Sequence, residues 1–164
     1  MPEPDQTLPE VYVLPGESHV MTEPAILRTV LGSCVGIAFL IPRLRVGALC
    51  HPMLPTYPAK PPADQSLAAG RRYVDFAIRD LARQFEALGA RSSEVQVKLF
   101  GGGDVLLAIN ATSRPTVGKL NCESALRVLD DYGFEIVASS LGGNSGVHIK
   151  FNTGTGEVLL RRLN

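Results

Sequence analysis

The chain has 164 residues, with 16 Lys and Arg against 16 Asp and Glu and an apolar fraction of 45%. That length suits one domain with a buried core and excludes wholesale disorder. A pI near 6.8 leaves no basic patch for nucleic acid or an anionic membrane, and the longest apolar run, Cys34 to Ile41, is far too short to span a bilayer.

In chain order, the opening MPEPDQTLPEVYVLP is acidic and proline-rich, without the basic and apolar regions of a secretory signal. A flexible leader is therefore expected over about residues 1–10 of a single domain spanning 1–164. Val11-Tyr12-Val13 is a short strand candidate, and Ile26 to Leu31 a β-rich segment running into Gly32-Ser33-Cys34. The unbroken apolar run Val35 to Ile41 reads as a buried strand. Pro42-Arg43 turns the chain, and Arg45 to Cys50 returns as a hairpin partner that ends at His51. Prolines at 52, 55, 58, 61 and 62 mark a long loop of a length often retained for function.

Val74, Ile78, Leu81, Phe85 and Leu88 are spaced for one face of a helix, and Gly89 supplies a stop. Val95, Val97 and Leu99 alternate as in a half-buried strand, which ends in Phe100-Gly101-Gly102-Gly103. A second helix is expected over Val117 to Tyr132, with Cys122, Ala125, Leu126 and Leu129 on its apolar face. Phe134 to Ala138, Val147 to Phe151 and Glu157 to Leu163 then look like an antiparallel meander. The pattern specifies a mixed α+β domain of layered sheets flanked by helices.

Three cysteines, Cys34, Cys50 and Cys122, form an odd set without CxxC spacing. That pattern points away from a disulfide framework or zinc site and towards reduced thiols in the cytoplasm. Cysteine is among the most buried residue types, so core packing is the ordinary reading of all three. Cys34 admits a second one. Behind Gly32 and Ser33 in a tight turn at a strand end, it combines a nucleophile with backbone N–H groups able to hold an oxyanion. A thiol with a pKa near 8.5 needs a base at neutral pH. His51 closes the hairpin partner of the strand that starts after Cys34, and the Thr29 hydroxyl could accept its other ring N–H and fix the tautomer. His19 reads as a surface residue and His148 as a solvent-facing strand position. The triple glycine reads as a tight turn, because no phosphate-loop pattern follows.

Five stretches together resemble the CheD family, the chemoreceptor glutamine deamidases of bacterial and archaeal chemotaxis. They are TVLGSCVGIAF, GALCHPMLP, GRRYVDFAIRDL, VKLFGGGDVL and IVASSLGGNSGVHIKFNTGTGEV, which run from about Thr29 to Leu160. The resemblance implies a Cys-His-Thr triad on Cys34, His51 and Thr29, with Gly32 and Ser33 positioning the turn and the oxyanion. It also implies a substrate or partner surface around Phe100, Gly101 and Gly102, and a fold similar to bacterial toxin deamidase domains. Some family members carry one more residue between the threonine and the cysteine. Where relatives often have an acidic residue before the late Gly-Gly and Gly-Arg after it, this chain has Ser139-Ser140 and Gly146-Val147.

The activity implied is cofactor-free and metal-free hydrolysis of glutamine side chains in methyl-accepting chemoreceptors, without membrane insertion, and a methylesterase activity is also compatible. The alternative is a regulatory partner of a CheC-type response-regulator phosphatase.

Overall fold

Alternation along one strand sets the architecture. The computed structural model describes residues 7–104 and 114–164. Its central strand β4 (Val35–Ile41) is buried at every position but Leu40, as an apolar run without polar alternation requires. Val35, Ile37, Phe39 and Ile41 face a core shared with Val74, Ile78, Leu81 and Phe85 of α2 (Val74–Ala87) and Ala125, Val128 and Leu129 of α3 (Val117–Tyr132). Ala38 faces the other way and packs with Leu27, Leu31, Ile149 and Phe151. Gly36 shares that second face, where a Cβ would stand 2.8 Å from Leu31 Cδ1 and 3.3 Å from Ile149 Cδ1. Its lack of a side chain lets the second sheet close on β4. The layers are helices, a five-stranded sheet and a four-stranded sheet.

The remaining strands are β1 (Glu10–Tyr12), β2 (Ser18–Met21), β3 (Ile26–Leu31), β5 (Val46–Cys50), β6 (Gln96–Gly101), β7 (Glu135–Leu141), β8 (Val147–Asn152) and β9 (Val158–Arg162). The five-stranded sheet has the order β2-β5-β4-β6-β7, and the four-stranded sheet the order β1-β3-β8-β9. A short helix, α1 (Leu67–Gly70), precedes α2. The chain is α+β, as its pattern implies. Among the described residues no helix is long and apolar enough to cross a membrane. Of the leader expected over residues 1–10, residues 1–6 lie outside the described residues. The Pro9 carbonyl accepts from the Ile26 N–H, and Glu10 opens β1, parallel to β3.

The hairpin read from Val35 to His51 forms as expected, with Ile37 opposite Cys50 and Ile41 opposite Val46. The closing meander does not. β8 and β9 pair antiparallel, but β7 lies parallel to β6 in the other sheet. The cause is α3, whose length carries the chain back across the sheet between β6 and β7, the crossover that parallel pairing demands. Thr116 caps α3 by accepting the Lys119 N–H, and Gly133 ends it in the left-handed region.

Two further side chains depart from the apolar pattern. Leu88 falls after α2 and Leu126 faces out from α3, 44% and 43% exposed. The inward face of α3 instead carries Asn121 and Ser124 beside Ala125, Val128 and Leu129. Strand β2 has no clear signal in the sequence; its His19 places Nε2 3.2 Å from Glu17 Oε2.

Candidate active site

Strands β3 and β4 are joined by Gly32-Ser33-Cys34, and each carbonyl of that turn is held from the protein side. Gly32 O accepts from the Gly103 N–H at 2.9 Å, Cys34 O from the Gly102 N–H at 2.8 Å, and Ser33 O from Asn121 Nδ2 at 2.9 Å. In a trans peptide the N–H of the next residue points opposite to the carbonyl. Anchoring Gly32 O and Ser33 O therefore turns the N–H groups of Ser33 and Cys34 away from the protein. Among the described residues neither donates to a backbone acceptor, and the Cys34 N–H lies close to the residue's own sulfur.

Phe100, Gly101 and Gly102 lie buried beneath this turn. Phe100 packs into the core between the sheets. Gly101 and Gly102 have φ of +91° and +64°, and a Cβ at Gly101 would stand 2.4 Å from Cys34 O. Only glycine combines that conformation with that approach. The glycine run is thus a tight turn, as its sequence indicates, and it cradles the backbone at Cys34.

His51 follows β5 at the end of the sheet where β4 begins. It is 2% exposed, and Thr29 on β3 is fully buried. The Thr29 hydroxyl donates to Val13 O at 2.6 Å, and its oxygen lies 2.8 Å from His51 Nδ1. A hydroxyl has one proton, here committed to a carbonyl that cannot donate. Thr29 Oγ1 must then accept from His51 Nδ1–H. The neutral ring carries its proton on Nδ1 and leaves Nε2 as the basic nitrogen. The structure thus joins Thr29 to His51 with the shorter spacing that this chain has before its cysteine.

Burial dominates the electrostatics. It pushes the Cys34 thiol above its ordinary value, partly offset by the residue's own backbone N–H. It holds His51 below the usual histidine range, with a smaller upward pull from the Val13 carbonyl. Both shifts favour the neutral form of the group. Cys50 is fully buried and strongly raised by desolvation, the behaviour of a core thiol. Cys122 is half-buried on α3, its Sγ 3.8 Å from Gly102 O.

Sequence reasoning missed Asn121, which donates to Ser33 O at 2.9 Å and to Met53 O at 3.0 Å. The available signal was its spacing. Residues 121, 125, 128 and 129 share one helical face, so a polar amide stands at a core position.

Comparison of the sequence with known proteins finds a matching family. The family model described as CheD chemotactic sensory transduction matches residues 53–162. A Geobacter sulfurreducens protein named "Probable chemoreceptor glutamine deamidase CheD 2" is 43% identical over 157 residues, covering 96% of this chain and 92% of that one. A Maridesulfovibrio salexigens protein named "Probable chemoreceptor glutamine deamidase CheD" is 34% identical, covering 99% and 97%. Spans of that length reach across Thr29, Cys34 and His51, which precede the residues that the family model matches. Among solved structures, Bacillus licheniformis hypothetical protein YfiH superposes over 75% of this chain and 49% of its own, with a TM-score of 0.49 and 10% identity. With a family match over two thirds of its length and relatives aligned almost end to end, this chain belongs to the CheD family.

Proposed function

We propose that this chain is a chemoreceptor glutamine deamidase, the activity in the names of its relatives, and that Cys34, His51 and Thr29 carry the reaction. The observation that supports this most is the buried relay from Val13 O through the Thr29 hydroxyl to His51 Nδ1, because it leaves His51 Nε2 as a base.

In this reading the resting site holds a neutral thiol and a neutral imidazole. As the Cys34 sulfur attacks a glutamine carboxamide, its proton passes to Nε2. The carbonyl oxygen becomes an oxyanion, received by the N–H groups of Ser33 and Cys34, which the anchored turn directs outward. Collapse of the adduct breaks the C–N bond while the imidazolium protonates the departing ammonia, leaving a thioester. Water activated by Nε2 then releases glutamate and restores the thiol. No cofactor takes part. The cytoplasmic signalling region of a methyl-accepting receptor is the substrate in this reading.

The test is ammonia release from a purified chemoreceptor signalling domain, with mass spectrometry to detect the conversion of glutamine to glutamate. Wild-type protein should convert it and a folded Cys34→Ala variant should not. If folded wild-type protein releases nothing from several receptors, the regulatory-partner reading, with a CheC-type phosphatase, takes its place.

A further inference from the structure

The turn bearing Cys34 and the segment following His51 leave different strands, and one side chain ties them together. Asn121 is fully buried on α3. Its Nδ2 donates to the carbonyl of Ser33, the residue before Cys34, and to that of Met53, two residues beyond His51. Both partners are acceptors, so chemistry decides the orientation of the amide. A flipped side chain would set Oδ1 against two carbonyl oxygens. In the observed orientation Oδ1 is buried without a partner among the described residues. An apolar residue would avoid that desolvated acceptor, so the role of Asn121 lies in the two bonds its nitrogen makes.

We infer that Asn121 is a positioning residue that sets the distance and orientation between Cys34 and His51. This rests on the reading of those two residues as nucleophile and base. The bond to Ser33 O rotates the peptide between Ser33 and Cys34 so that the Cys34 N–H faces outward, and the bond to Met53 O holds the chain after His51 at the same anchor. One rigid amide thereby fixes the two chain segments that extend beyond the paired ends of β4 and β5. Its loss acts on the reacting geometry and leaves the outer surface that a substrate meets unchanged.

The experiment compares Asn121→Ala with Thr116→Ala, which removes the N-terminal cap of the same helix. Two quantities are read: kcat and KM for ammonia release, and the rate of Cys34 alkylation by iodoacetamide as a function of pH, followed by mass spectrometry. Asn121→Ala should lower kcat by roughly 10- to 100-fold, the scale of a small misplacement of reacting groups, with KM unchanged. Its alkylation profile should move to that of His51→Gln, because the thiol has lost its base. Thr116→Ala should lower the melting temperature and leave both readouts at wild-type values.

If Asn121→Ala fails to fold, Asn121→Ser, which keeps a donor but loses the bridge, carries the same comparison. The inference is overturned if a folded Asn121 variant retains the wild-type kcat and alkylation profile, or if Thr116→Ala shifts both to the same extent. Failure of the deamidase reading is separately visible as no ammonia release by the folded wild-type protein, and failure of the nucleophile assignment as unchanged activity in Cys34→Ala. The alkylation profile reads the Cys34–His51 geometry in either case.

Discussion

Replacing Thr29 with valine keeps the shape of the side chain and removes its hydroxyl. Two buried groups lose a partner: Val13 O loses its 2.6 Å donor, and His51 Nδ1–H loses its 2.8 Å acceptor. The nearest substitute acceptor is Val13 O, 3.4 Å from Nδ1, beyond the usual range for an N–H bond. Stranding a buried donor costs about 1–3 kcal/mol. Set against the tautomer equilibrium of His51, that range is roughly a 5- to 150-fold loss of the form with a free Nε2. Since Thr29 is fully buried and meets no substrate, the loss should appear in kcat, with KM unchanged. Ammonia release from a receptor domain measures both, and nitrogen NMR of the imidazole reports the tautomer directly. Thr29→Ser restores a hydroxyl and should recover most of the activity. A folded Thr29→Val protein with wild-type kcat, or with the Nδ1–H tautomer intact, would refute the assignment.

Other perturbations test different parts of the molecule. The buried ring of His51 resists protonation in the folded state, whereas the unfolded chain takes up that proton near pH 6.5. Stability should therefore fall as pH drops below about 6.5. Urea midpoints should show a weaker fall in His51→Gln, and equal slopes would contradict the burial argument. Alkylation of the native protein should modify Cys34 before Cys50, which is fully buried, and before Cys122; equal rates for all three would count against the nucleophile. A Cβ at Gly118 would meet Gly103 O at 2.4 Å and Gly102 O at 2.7 Å. Gly118→Ala should thus destabilise by about 1–3 kcal/mol as overpacking does, measured by thermal melting, and should lower kcat because those carbonyls belong to the cradle beneath Cys34. Phe39 packs between Phe85 and Phe134, with ring centroids 5.4 and 6.2 Å away. Phe39→Ala should cost about 3–5 kcal/mol in urea unfolding.

Local chemistry by itself determined a good part of this protein. The apolar run at β4, the return at β5 and the two helices follow from short-range periodicity and turn residues, because strand and helix repeats are written in neighbouring positions. The contact of Thr29 with His51 was also anticipated, and a hairpin must bring the chain before β4 and the chain after β5 to the same edge of the sheet. Tertiary structure decided what depends on long-range packing. The side of β6 on which β7 pairs was hidden, because a crossover and a meander present similar strand patterns and differ only in where the intervening helix packs. The tautomer of His51 depends on Val13 O, a backbone atom that no side-chain pattern reveals. Asn121 stood in the sequence as one polar residue on an apolar helical face. Its two acceptors, Ser33 O and Met53 O, lie 88 and 68 residues away along the chain, a proximity created only when α3 packs over the ends of β4 and β5.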